Sequence, residues 1–172
     1  FVVGLLFTGA IVLGAAPVRG LLADLYLGRI ADPRWLGGRL DAKMFLYLVG
    51  ATMLALNLVS FTAHHVALYG AQASPGMFLH LALFGFFLME YLWFEEVHLY
   101  TYDFVAERVG FKLGWGCLVF YPFFYAVGAW SVAELPPPSQ PTWALVLAGR
   151  VFVSGWVLAR GANMQKFYSK TR

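Results

Sequence analysis

Charge is what this chain lacks most. Only 12% of its 172 residues are Asp, Glu, Lys or Arg, against about a quarter in an average soluble domain. A water-soluble globule of this length needs far more polar surface, so that class is excluded. A single cysteine, Cys117, rules out an internal disulfide. The net charge of +3 is small and says little by itself; its distribution says more. No signal peptide is visible, and the first residue, Phe1, sits in mid-helix, so a fragment of a longer protein is expected. Gly114-Trp115-Gly116 is too short for a nucleotide loop and lacks a Rossmann or P-loop setting. There is no internal repeat, which counts against a small transporter.

What the chain does have is apolar sequence in long blocks, 60% of all residues, with the charges set between them. The pattern predicts an all-α, polytopic integral membrane protein forming one transmembrane domain. About five spans are expected, near residues 1–18, 43–69, 77–97, 113–133 and 142–159. Residues 19–42 form a polar connector whose Pro33 and Gly37-Gly38 mark turns. The 98–112 segment reads as a continuation of the third helix or as an interfacial helix. Pro122 kinks the fourth span, Leu135 to Pro141 is a loop, and residues 160–172 are a basic tail.

The basic residues orient the spans. The 19–43 stretch holds five Lys or Arg, the 70–76 loop none, the 98–112 segment Arg108 and Lys112, the proline loop none, and the tail Arg160, Lys166, Lys170 and Arg172. The positive-inside rule puts the connector, the 98–112 segment and the tail on the cytoplasmic side.

Carboxylates at a membrane interface need a reason. A continuous helix would place Glu96, Tyr100 and Asp103 on one face, and Glu95, Leu99 and Tyr102 on the next. Such an acid, held in an apolar site, stays protonated near neutrality and can serve as a general acid. The plainer alternative is ion pairing with Arg108, Lys112 or the tail. Arg160, Lys166 and Lys170 are able to hold a phosphate-bearing cofactor, or equally to touch anionic lipid. His64, His65 and His80 read as interfacial histidines, since no acid or cysteine completes a metal site. Arg150, inside the fifth span, needs a partner, and Glu90 is the expected one.

Three stretches, in order, resemble the membrane sterol reductases, a family that includes the Δ14-, Δ7- and Δ24(28)-reductases and the membrane domain of the lamin B receptor. The first is Asp24-Leu25-Tyr26-Leu27-Gly28-Arg29 with Asp32-Pro33-Arg34 and Leu40-Asp41-Ala42-Lys43-Met44-Phe45. The second is Leu92-Trp93-Phe94-Glu95-Glu96 with Thr101-Tyr102-Asp103, Gly110-Phe111 and Leu113, followed by Pro122 and Tyr125. The third is Arg160-Gly161-Ala162-Asn163-Met164-Gln165-Lys166. The resemblance covers nearly all of this chain but only the middle of a full family member.

That resemblance implies NADPH-dependent reduction of a sterol carbon–carbon double bond, by protonation and then hydride transfer. It implies a sterol substrate drawn from membrane lipid, with no metal. It assigns Asn163, Lys166, Lys170 and Arg160 to the cofactor, and makes Glu95, Glu96, Asp103 and Tyr102 the candidates for the acid chemistry. The expected location is the endoplasmic reticulum membrane in a eukaryote and the inner membrane in a bacterium. The chain departs from the family pattern at Leu46–Gly50, at Phe94 where Asn is usual, and at Cys117 where Asp often stands. These departures leave room for a sterol-binding or scaffold protein on the same fold. An isoprenylcysteine methyltransferase-like protein would lack the connector motif. Different motifs favour different branches, so the bond reduced stays open.

Overall fold

A chain in lipid must satisfy every backbone N–H and C=O internally, and an apolar run of this length can do so only as a helix. The computed structural model, which describes residues 1–171, is accordingly almost all helical. Arg172 of the expected basic tail lies outside the described residues. Among those residues four helical stretches are long and apolar enough to cross a membrane: Ala42–Gln72, Pro75–Trp93, Phe111–Val132 and Thr142–Thr171. The protein is an integral membrane protein of all-α class.

The expected first span, residues 1–18, is shorter than anticipated. Helix α1 covers only Val2–Leu13 and stops at Gly14, ahead of Pro17. The third span also ends early. Its helix α4, Pro75–Trp93, breaks at Phe94. Two single turns follow, α5 at Glu95–His98 and α6 at Tyr102–Val105. The continuous helix expected to align Glu96, Tyr100 and Asp103 is therefore absent. Conversely, the tail is no tail: α9 runs unbroken over Thr142–Thr171.

The chain divides into two compact units. The first comprises Phe1–Leu54 and Thr101–Tyr125, the second Ala55–Tyr100 and Ala126–Arg172. Helix α3, Ala42–Tyr69, supplies residues to both.

In the first unit the connector folds into helix α2, Leu21–Leu27, and a minimal hairpin of β1, Arg34–Trp35, with β2, Leu40–Asp41. Asp41 then starts α3, its Oδ1 accepting the Met44 N–H at 3.0 Å as a helix N-cap should. Residues Phe111–Phe120 form a π-helix that runs into α7, Tyr121–Phe124, where Pro122 has no N–H to give. Leu46, Val109, Leu113 and Cys117 make the buried core, with Phe7, Ile11, Tyr47 and Leu118 around them.

The connector docks on the 106–110 segment through bare backbone. Gly28 has φ +87, and a Cβ there would lie 2.4 Å from the Val109 carbonyl carbon. A Cβ on Gly110 would lie 2.2 Å from the Gly28 nitrogen. Only glycine at both positions permits the contact. The Val109 N–H donates to Ile30 O at 3.1 Å and closes the joint.

In the second unit α4 and α9 pack side by side in the same direction. Contacts run from Gly76 with Gln140, through Phe86 with Phe152 and Trp156, to Glu90 with Arg160. Ser74 caps α4 with Pro75 at the first helical position, a standard start. His65 is fully buried, not interfacial as expected. Its Nδ1 lies 2.9 Å from the carbonyl of Ala133, which caps the C-terminus of helix α8, Val127–Val132, and its Nε2 accepts the Ser74 N–H at 3.1 Å. One ring nitrogen donates and the other accepts, which is the neutral imidazole. His64 stays exposed, 3.5 Å from Glu134.

Candidate active site

The polar residues of the first unit are placed by the breaks in its helices. Asp24 is fully buried, at 0% exposure, on the inner face of α2. Its carboxylate accepts the N–H groups of Val18 and Arg19 at 3.1 and 3.0 Å, and the Arg29 Nε at 2.9 Å. Burial alone would raise its pKa. The Val18 N–H, the Arg29 guanidinium and the Arg19 N–H outweigh that and hold the carboxyl below its ordinary 3.8. Arg29 also donates to Ala15 O at 2.8 Å, so one ion pair ties the end of α1 to α2.

Lys43, one residue into α3, is 1% exposed. A buried ammonium must be fully hydrogen-bonded. Lys43 uses its three donors on three carbonyls: Asp103 at 3.2 Å, Phe104 at 2.8 Å and Glu107 at 2.7 Å. These are the free carbonyls around the end of α6, where a cation is favoured. One turn along α3, the Tyr47 hydroxyl donates to Asp103 Oδ2 at 2.6 Å. Asp103 is thus a half-buried acid held by a phenol, its backbone held by an ammonium. Tyr102, beside it, is 69% exposed.

Glu95 and Glu96 lie in the second unit and are both exposed on the α5 turn. A second interruption, between α5 and α6, ends the helix register that would have aligned them with Asp103. Their expected partners Arg108 and Lys112 are engaged within the first unit. Lys112 binds Glu107, and Arg108 donates to Arg29 O at 2.6 Å.

Glu90 does not pair with Arg150. Its partner is Arg160, whose guanidinium also sits 4.5 Å over the Phe94 ring. Glu90 is three residues from the end of α4 rather than at mid-depth, and Arg150 is an exposed residue about 15 Å short of Arg160 along α9. Arg160 still holds Nε and Nη1 buried with no partner among the described residues. Asn163, Lys166 and Lys170 follow at helical spacing, the lysines exposed and Asn163 half-buried. A guanidinium with unused donors, an amide and two ammonium groups thus share one stripe of α9.

A family profile described as "Ergosterol biosynthesis ERG4/ERG24 family" matches residues 14–171. The chain belongs to this family. Within it, the chain is 32% identical over 146 residues to the Delta(14)-sterol reductase of Methylotuvimicrobium alcaliphilum, covering 84% of this chain and 33% of that protein. It is 29% identical over 154 residues to the Delta(14)-sterol reductase of Arabidopsis thaliana, covering 87% of this chain and 39% of that protein. It is also 30% identical over 145 residues to the 7-dehydrocholesterol reductase of Xenopus laevis, covering 83% of this chain and 30% of that protein. The chain thus spans about a third of the length of these relatives.

For this ERG4/ERG24 chain, sequence reading missed the roles of Lys43 and Tyr47. A signal existed: Lys43 and Tyr47 stand at i and i+4, so they share one face of α3. What the sequence did not show was that the 103–107 carbonyls end a single turn and need a donor. The Glu90–Arg160 pair was missed because it depends on the register of α4 against α9.

Proposed function

We propose that the full-length protein is an NADPH-dependent reductase of a carbon–carbon double bond in a sterol. The reading rests on identity to proteins named sterol reductases over more than four-fifths of this chain. The side chains are consistent with it. Asn163, Lys166 and Lys170, with the unused donors of Arg160, bind the phosphate end of the cofactor. A bound reduced nicotinamide supplies hydride. The proton comes from this chain's own acids.

Asp103 is our first choice among Glu95, Glu96, Tyr102 and Asp103, because it alone sits in a hydrogen-bonded pair. A protonated Asp103 gives its carboxyl proton to the substrate carbon and is left as the carboxylate, which the Tyr47 hydroxyl stabilises by donating to Oδ2, while Lys43 holds the Asp103 backbone. An apolar substrate enters from lipid.

The test uses full-length protein in membranes, NADPH, and a panel of sterols that differ in the position of unsaturation. Loss of one double bond from one substrate is the expected result and also identifies the bond. Sterol binding without any turnover would sink the enzyme reading and leave a binding or scaffold protein. Lys166→Ala should raise the KM for NADPH about tenfold with little effect on sterol affinity. An unchanged KM removes α9 from the cofactor site.

A further inference from the structure

A second basic site lies in the first unit, and Tyr102 is the one acid-chemistry candidate on its lining. Arg19, Arg108 and Lys112 line a cleft of about 230 Å³ with Glu107, Tyr102 and Leu27. Three cations face one carboxylate, and Lys112 already takes that carboxylate.

The two guanidinium groups are not free surface charges. Arg19 Nη1 donates to the Gly28 carbonyl at 3.3 Å, and Arg108 Nη1 to the Arg29 carbonyl at 2.6 Å. Carbonyls of two consecutive residues therefore fix both forks on one rim. Each is bonded through a single nitrogen, and the remaining donors are uncommitted among the described residues. An arginine fork held this way loses less rotamer freedom on meeting an oxyanion, and two together match a phosphate.

The surroundings select the source of that phosphate. Leu27 belongs to the cleft and ends α2. The outward side of α2 is apolar: Leu21 is 58% exposed and Leu22 83%. Val18 and Tyr26 are exposed beside them, while Asp24 takes the inner side. A short helix with leucines outward, in a membrane protein and on the side rich in basic residues, lies in the interface. Lys112 stands at the start of the Phe111–Val132 span. The site thus joins anchored cations to apolar surface at headgroup depth.

We propose that Arg19, Arg108 and Lys112 bind the phosphate of an anionic membrane lipid whose acyl chains lie along α2. A soluble phosphate or dinucleotide would use the cations but gain nothing from Leu21 and Leu22.

The experiment reconstitutes full-length protein into phosphatidylcholine nanodiscs doped with phosphatidic acid and counts retained lipids by native mass spectrometry. Phosphatidic acid should be enriched over phosphatidylcholine by about tenfold or more, and the Arg19→Gln/Arg108→Gln double variant should remove most of that enrichment. Glu107→Gln keeps the packing and deletes the competing carboxylate, so retention should rise several-fold; this arm stands even if the double variant fails to fold. Absence of enrichment, or enrichment indifferent to both variants, overturns the proposal. Displacement by inorganic phosphate or NADPH at concentrations matching the lipid's also overturns it, because the site would then be one for soluble phosphates. Lipid retention is read without sterol turnover, so either outcome leaves the reductase reading intact.

Discussion

The two units bury charge in opposite ways. In the first, buried ions bind mainly backbone: Asp24 takes the N–H groups of Val18 and Arg19 besides the Arg29 guanidinium, and Lys43 takes the carbonyls of Asp103, Phe104 and Glu107. In the second, Glu90 and Arg160 bind each other across two long helices. The difference follows from helix length. Short helices leave as many unsatisfied backbone groups at their ends as long ones do, and α2 and α6 are nearly all ends. Charged side chains then complete the hydrogen bonding that regular structure would otherwise provide. Long helices satisfy themselves, so their ions are left to fix register. Charge in the first unit is part of the fold, whereas in the second it is a lock between parts already folded.

The largest effect expected from that contrast is at Gly110. Gly110→Ala pushes a Cβ into the Gly28 backbone and should cost about 3 kcal/mol, read as a lowered thermal transition of the full-length protein in detergent. An unchanged transition would mean the connector is not docked as described. Lys43→Met should cost nearly as much, about 3 kcal/mol, because it leaves three buried carbonyls unpaired. Hydrogen exchange in residues 103–107 should rise with it, and persistent protection there would break the idea that the ammonium holds α6.

Asp24 gives a smaller effect with a defined sign. Its carboxyl is held below 3.8 in the fold, so it binds protons less readily folded than unfolded. Its stabilisation is complete well above that value and is lost as pH falls below it. Asp24→Asn should flatten this part of the stability profile. An unaltered profile would assign the acid response to other groups. Least affected should be Gly155→Ala in α9, where a new Cβ meets nothing within 4 Å and helix propensity gains up to about 1 kcal/mol. A loss there as large as at Gly110 would erase the distinction between the units.

Much of this was readable beforehand, and the reasons it stopped where it did are physical. Four of the five expected spans follow from hydropathy, which acts one segment at a time. The α3 and α4 starts were close to expectation, because Asp41 and Ser74-Pro75 are local signals. The break at Phe94 was not seen, since Leu92 to Val97 carries neither proline nor glycine. The pairing of Arg160, not Arg150, with Glu90 depends on how two helices slide past each other, which no single stretch encodes. His65 looked like an interfacial residue because its partners, Ala133 O and Ser74 N–H, are backbone groups and leave no mark in a sequence.

Helix α9 has one further consequence. Thirty residues at helical rise make a rod about 45 Å long, whereas the hydrocarbon layer is about 30 Å thick. The Arg160–Lys170 stripe therefore rides on a stiff extension of a membrane anchor rather than on a loop. Its aim is a matter of angle: one residue inserted between Arg150 and Arg160 would swing Asn163, Lys166 and Lys170 by about 100° while advancing them only about 1.5 Å along the axis.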